Sequence, residues 1–563
     1  MTEAPPDRAA SAARRAAEKR VLPTAHTGRR CSEPIPEEVD VAIVGAGTGG
    51  LCAGAYLARA GLRVAVFDQH YVAGGCATRF ARGSAGARYM FDVGLHYLGE
   101  CDPGGVFEKV LQPLDVSIDW AELPRECIER LVFPDFEFRL PAEMELYRSR
   151  LLELFPQERR GIDKYLRMVM QVGGIQPKLF ATGAKVTAPV LWHVFVRGQM
   201  LMLHERATAE KFLDGCTRDP RLRAVILGQH GAYGLPPSEV SILLHAGLAN
   251  HYFGGAWYPR GGGQILSDKL ALAIEEAGSS IHLRRGIERI LIEGGRAVGV
   301  RTLPRGGEQH DVRARVVVSN ADISRTLLDL VGAEHVPRRW LRRQQRWVMP
   351  SAMFSTYLGV RGDLGEQGMT AGNTLQYDSY DTDAYYKANR GNPRPMPQGC
   401  YITNSSLKDP GGLNHAPDGH QAVTIMSMLP AEPTAWGITP EQIADGSYRR
   451  VLAYQERKRA IEDDLIGRFD TLYPGTAAAI TFRESSTPAS QSRYTWAEGG
   501  TGYGIAGIPK QFQKARPDVQ SPIPDLYWCG ASTRTGHGII GALLSGRIAS
   551  QRAAKRLGVT AIG

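Results

Sequence analysis

No run of about 18 apolar residues, the length a helix needs to cross the hydrocarbon core of a bilayer, occurs anywhere in the chain, so no segment spans one. Cysteine is sparse. The eight present (Cys31, Cys52, Cys76, Cys101, Cys127, Cys216, Cys400 and Cys529) show no C-x-x-C and no pairing pattern. That argues against a disulfide framework or a zinc site and favours a reducing compartment, the cytoplasm. Charge of one sign is not in great excess: Lys and Arg outnumber Asp and Glu by 67 to 58. A net +9 over 563 residues does not indicate a nucleic-acid binder, and no nucleic-acid signature accompanies it. There is no internal repeat. Residues 1–36, rich in Ala, Arg and Pro, lack the apolar core of a signal peptide and read as a disordered or partly helical extension.

What is present is concentrated between Asp40 and Thr78. The apolar run Val41–Val44 reads as a buried parallel strand. Gly45, Gly47 and Gly50 follow at G-x-G-x-x-G spacing and open a helical pattern over Leu51–Arg59. At that spacing the first glycine permits a tight turn, the second lets the backbone approach a pyrophosphate, and the third lets helix and strand pack closely. The pyrophosphate then sits on the helix N-terminus, where free N–H groups and the helix dipole favour negative charge. A second strand, Leu62–Phe67, ends in Asp68, placed to accept from a ribose hydroxyl. The chain is therefore expected to bind a dinucleotide. The same spacing recurs at Gly502/Gly504/Gly507, which lacks the strand–turn–helix context and reads as loop.

Gly74 and Gly75 follow Asp68 closely and let backbone amides approach a further part of a long cofactor. Near the other end, a strand over Asp525–Cys529 leads through Gly530 and Gly536–Gly541 into a helix expected from about Ala542 to Leu557. A flavin dinucleotide is long enough to be gripped by both glycine units, so FAD is the expected cofactor.

The set GAGTGG, VAGGCAT, FDVGLHYLG (Phe91–Gly99), GAWYPRGGG (Gly255–Gly263), VVVSNAD (Val316–Asp322) and GASTRTGHG resembles the family of phytoene desaturases, carotenoid isomerases and retinol saturases, over roughly residues 39–556. The resemblance implies an α/β fold of amine-oxidase and phytoene-desaturase type: a discontinuous Rossmann-like FAD domain with an α+β substrate domain. It implies that Gly45, Gly47, Gly50, Asp68, Gly74 and Gly75 hold the pyrophosphate and adenosine, and that Ile287 meets the adenine through its backbone. It also implies that Gly530, Ala531, Gly538 and Ile539 lie under the flavin. One departure stands out: many related flavoenzymes carry an acid after the glycine corresponding to Gly530, whereas Ala531 and Ser532 follow it here.

The cofactor domain is expected from residues 39–115, 255–324 and 521–557, and the substrate domain from 116–254 and 325–520. The first insertion reads as helical, and the second mixes strands with loops. Candidates in segments that resemble flavin-facing ones are His96 and Tyr97 in FDVGLHYLG, Tyr258 and Arg260 in the YPRGGG loop, and His537 in GHG; the histidines and tyrosines are the proton-handling candidates, and Asp92 reads as an anchor.

The activity implied is hydrogen transfer across a carbon–carbon bond of a polyene or isoprenoid lipid, as saturase or desaturase. Oxygen, a quinone or a separate reductase is the electron partner. Three alternatives stay open: a redox-neutral cis–trans isomerase using reduced FAD, an amine-oxidase-like flavoenzyme, and a non-catalytic escort of prenylated or lipid ligands. Two segments suit peripheral membrane contact: a basic cluster, Arg338–Trp347, with interleaved tryptophans, and the apolar Pro189–Val196. The first also reads as a solvated helix face, and the second as a core helix or the wall of a lipid tunnel. A second basic cluster spans Arg8–Arg30.

Overall fold

The computed structural model describes residues 30–84, 87–181, 188–411 and 415–562. Most of the expected extension, and of the cluster Arg8–Arg30, lies outside the described residues. Arg30 itself is not part of a loose tail: it is buried and pairs with Glu275 at 2.7 Å.

Strand β1 (Glu38–Val44) lies at the centre of the cofactor-domain sheet. Val41, Ala42 and Ile43 are fully buried, as an apolar run in a parallel strand covered on both faces must be. Helix α1 (Thr48–Arg59) follows, then β2 (Val64–Phe67). In order, the sheet runs Ile287–Glu293, Arg296–Thr302, Asp311–Ser319, β1, β2 and Ser280–His282, with Leu526–Trp528 paired to Asp311–Ser319. The parallel registers decide where a ligand goes. Val44 lies opposite both Phe67 and Ser319, and Ser319 lies opposite Trp528. Gly45, Asp68, Asn320 and Gly530 therefore emerge side by side at the carboxyl edge of the sheet, where open α/β sheets bind ligands.

The final helix, α2 (Gly538–Leu557), packs along α1. It starts four residues earlier than its composition suggests, because two glycines, Gly538 and Gly541, lie in its first turn. A Cβ on Gly546 would stand 2.2 Å from the Gly49 carbonyl oxygen. Only bare backbone allows α1 and α2 to lie this close, and the contact brings their N-termini together.

The second sheet runs Ile480–Ser486, Ala352–Arg361, His420–Leu429, Gly399–Asn404, Asn373–Tyr377, Glu129–Val132 and Glu137–Leu140. It corrects the helical reading of the first insertion. That segment does carry Arg159–Ala181 and Ile242–Tyr252 as helices, but its short strands complete the sheet of the second insertion. Glu129–Val132 pairs in parallel with Asn373–Tyr377, so the two insertions share one core.

Helix Arg338–Gln344 turns the aromatic side of the basic cluster inward, with Trp340 packed edge-on against Trp528 at 5.5 Å. In helix Ala188–Arg197, by contrast, Trp192 and Phe195 are 69% and 63% exposed.

Candidate functional site

Asp68 fixes the first half of the cradle. Its carboxylate accepts the Ala46 and His70 N–H groups, both at 2.7 Å, and Ala46 in turn accepts the Gly74 N–H at 2.7 Å. Burial pushes Asp68 above the ordinary carboxylate value, and the two N–H bonds oppose that shift. The turn is too tight for side chains: a Cβ on Gly50 would lie 2.1 Å from the Gly45 carbonyl oxygen, and one on Gly75 would lie 3.1 Å from the Gly47 Cα. Arg284 and Arg285 donate their N–H groups to the carbonyls of His70 and Asp68, which brings the start of Ile287–Glu293 beside the acid.

The second half closes over the first. Gly530 donates its N–H to Ser545 Oγ of α2 at 2.7 Å. Asn320, given no role by sequence reasoning, stands between the halves. Cβ atoms on Gly47 and Gly49 would lie 2.6 Å from its amide, and one on Gly530 would lie 3.1 Å from its Oδ1.

Arg516 is equally unforeseen. It is 1% exposed and donates to the Ala531 carbonyl at 2.7 Å, while its Nε and Nη1 have no partner. Burial lowers it to about 10. A buried cation without a carboxylate, close to His537 at the N-terminus of α2, suits an anionic dinucleotide. The residues present fit FAD.

Three of the proton-handling candidates meet in one buried network. Tyr258 donates to Asp92, which also accepts the Gly263 N–H at 2.8 Å and lies 3.4 Å from Arg79. Asp92 is thus an anchor, and it sets the YPRGGG loop. Arg260 is held by Asp409 at 3.3 Å and by Asp119 at 3.5 Å, and Asp409 also bonds His415 at 3.2 Å. Tyr97 donates to Glu129 at 2.5 Å and stacks on Tyr252 with centroids 4.5 Å apart. His96 accepts at its carbonyl from Lys408 at 2.7 Å, and its Nε2 has no partner. Burial first, and the Lys408 charge second, lower His96 to about 4, so its ring is neutral near pH 7. Tyr401 lies 6.0 Å from that ring, and its hydroxyl is also unpartnered.

His537 stands apart from this network. It caps α2, lies within reach of the Ala232 carbonyl at 3.2 Å, and packs edge-on to Tyr503 at 5.3 Å. Burial, then the Arg516 charge, lower it to about 4. Ala531 presents its carbonyl to Arg516, and Ile539 lies in the first turn of α2.

Glu129 and Lys408 were also missed by sequence reasoning. Glu129 lies on a four-residue strand whose burial alternates with the acid on the buried side, which no sequence pattern in ERLV signals. Nothing local in Ser405–Lys408 marks Lys408 as buried.

Fold and site together define a two-domain, Rossmann-based dinucleotide protein with a buried polar network against its second sheet. The NAD(P)-binding Rossmann-like domain family matches residues 43–114. All-trans-retinol 13,14-reductase of Danio rerio is 28% identical over 515 residues, which cover 88% of this chain and 83% of that protein. The chloroplastic prolycopene isomerase 1 of an Oncidium hybrid cultivar is 25% identical over 93% of this chain and 85% of its own. Among solved structures, putrescine oxidase bound to putrescine superposes with a TM-score of 0.59 at 15% identity, covering 92% of this chain and 99% of that one; it speaks for the fold alone. The resemblance to the phytoene desaturase and retinol saturase family thus holds along nearly the whole chain.

Proposed function

We propose that this protein is an FAD-dependent oxidoreductase that adds hydrogen across a carbon–carbon double bond of a polyene or isoprenoid lipid. The observation that carries the reading is similarity over most of the chain to a retinol reductase, in a chain whose two glycine units converge on one dinucleotide cradle.

Gly45, Gly47, Gly50, Gly74 and Gly75 would hold the pyrophosphate, and Asp68 and Ile287 the adenosine. Gly530, Ala531, Gly538 and Ile539 would lie beneath the ring. When bound, the cofactor supplies the hydride. The chain's own residues do the rest. The aromatic walls around Tyr97, Tyr252 and Tyr401 exclude water, and Tyr97 is the proton donor favoured by its buried acid partner. Tyr258 is committed to Asp92 and acts as an anchor, while His96 and His537, neutral near pH 7, position rather than protonate.

Reconstituted protein, reduced under anaerobic conditions, tests this directly: all-trans-retinol should restore the absorbance of the oxidised flavin. Reduced flavin that persists in the presence of retinol counts against the reading. A redox-neutral isomerase is the second reading, favoured by the similarity to prolycopene isomerases. It predicts a geometric isomer with no flavin oxidation.

Peripheral membrane contact forms part of the proposal. Among the described residues no helix is long and apolar enough to cross a membrane. Trp192, Phe195, Met202 and Leu203 nevertheless face outward, and an apolar substrate resides in lipid.

A further inference from the structure

Glu129 and Lys408 are ionisable groups sealed from solvent, at 1% and 3% exposure, on the substrate-domain side of the network. Lys408 uses its three donors fully, on the His96 carbonyl at 2.7 Å and on Asn373 Oδ1 and Thr403 Oγ1 at 2.6 Å each. Its ammonium also lies 5.7 Å from the Tyr97 ring centroid. Glu129 receives the Tyr97 hydroxyl at 2.5 Å on one oxygen and the Gln229 amide at 2.9 Å on the other. A buried acid is costly, and well-packed apolar side chains fill a core at no such desolvation cost. This one is wired through a phenol to the segment that resembles flavin-facing sequence.

We propose that Glu129, with Lys408 beside it, is a buried proton reservoir for Tyr97, which protonates one carbon of the substrate double bond. The inference rests on the oxidoreductase reading above.

With Glu129 ionised, the Tyr97 proton points at the carboxylate and away from any substrate. Protonation of Glu129 reverses the bond: its O–H donates to the phenolic oxygen, and the tyrosine proton is free to turn. In the step, one carbon of the double bond accepts a hydride from two-electron-reduced flavin. The π pair moves to the neighbouring carbon and bonds the Tyr97 proton. The O–H pair stays on the phenolic oxygen, which takes the Glu129 proton. The carboxylate left behind is balanced by the Lys408 ammonium and regains a proton from solvent between turnovers.

Burial raises Glu129 to about 7, against the bonds from Tyr97 and Gln229 and the Lys408 charge, which brings its protonated form within reach near neutrality. The groups that face it are Tyr97, Tyr252, Tyr377, Tyr401, Cys127, Gln229 and Lys408. Lys408, lowered by burial to about 7, is the cation among them. The protonated form of Glu129 is the competent one, so the proton-transfer rate should fall as pH rises through about 7.

Infrared titration of the flavin-loaded protein reads a buried carboxylic acid directly. Burial also raises Asp268 to about 7, so the wild-type spectrum should show carboxylic C=O absorbance that disappears with a midpoint near 7, and Glu129→Gln should lose the Glu129 component and keep that of Asp268. In Glu129→Gln, Gln229 can turn its amide to keep the pair bonded. Reoxidation of the reduced flavin by all-trans-retinol should slow by about 10²-fold in this variant and lose its pH dependence, with FAD affinity unchanged. Lys408→Met should move the midpoint of the Glu129 component upward, because the cation no longer favours the carboxylate. No titrating component that Glu129→Gln removes, or a Glu129→Gln rate equal to wild type at every pH, overturns the proposal. If wild-type protein is not reoxidised by retinol at all, the functional reading falls and the delivery step falls with it.

Discussion

Asp68→Ala separates a loop anchor from a cofactor ligand, because the structure assigns the carboxylate two duties. A carboxylate offers about four lone-pair sites. Two are taken by the Ala46 and His70 N–H groups at 2.7 Å, leaving about two for ribose hydroxyls. Truncation strands the two N–H groups, of which Ala46 is buried and His70 half-buried. At about 1–3 kcal/mol for a buried unmet donor, with water relieving His70, the apo-protein should lose about 2–3 kcal/mol. Hydrogen bonds to a charged acceptor contribute about 1.5–3 kcal/mol each, so losing the ribose contacts should weaken FAD binding by at least about tenfold and by about 10²-fold if both are made. Urea unfolding of the apo-protein reads the first duty, and fluorescence titration with FAD reads the second. A stability loss with FAD affinity within twofold of wild type would refute the ribose assignment and leave Asp68 as an anchor only.

Other perturbations probe the remaining joints. Gly546→Val places a Cβ 2.2 Å from the Gly49 carbonyl, so overpacking should cost about 1–3 kcal/mol and lower FAD occupancy, read by thermal melting and by flavin absorbance after gel filtration. Arg516→Met removes a buried cation that has no carboxylate partner. The apo-protein should melt no lower than wild type while FAD affinity drops by about tenfold, roughly 1.4 kcal/mol; a parallel loss of both would mark a purely structural role. A double variant, Trp192→Glu with Phe195→Glu, should abolish sedimentation with anionic vesicles at low salt and leave flavin content unchanged. Equal binding by both proteins would remove the membrane proposal.

The sequence was most legible where structure is local. β1, α1 and Asp68 lie within one strand–turn–helix–strand unit, and the glycine spacing there has a single geometric reading. The strands from Ile287 to Ser319 were legible from alternation and the Gly294–Gly295 turn. Legibility failed where partners are far apart. Glu129–Val132 is too short to declare itself, and its pairing with Asn373–Tyr377 is a tertiary choice. Arg516, Lys408 and Glu129 failed for another reason: charged residues are read as surface unless a partner is visible, and their partners come from distant segments. In Arg338–Trp347 the composition suggested a solvated helix face or a membrane contact, but the Trp340 contact with Trp528 spends the aromatic side on the core.

The central claim is that a carbon–carbon double bond gains two hydrogens. The most direct measurement is the product mass after anaerobic incubation of all-trans-retinol with the flavin-loaded, chemically reduced protein, run in parallel in deuterium oxide. The account predicts a product heavier than retinol by two hydrogens, with deuterium at both carbons when the solvent is heavy water, because a chemically reduced flavin takes its transferable hydrogen from solvent as the tyrosine does. Retinol recovered at its original mass would contradict it, whether unchanged or as a geometric isomer.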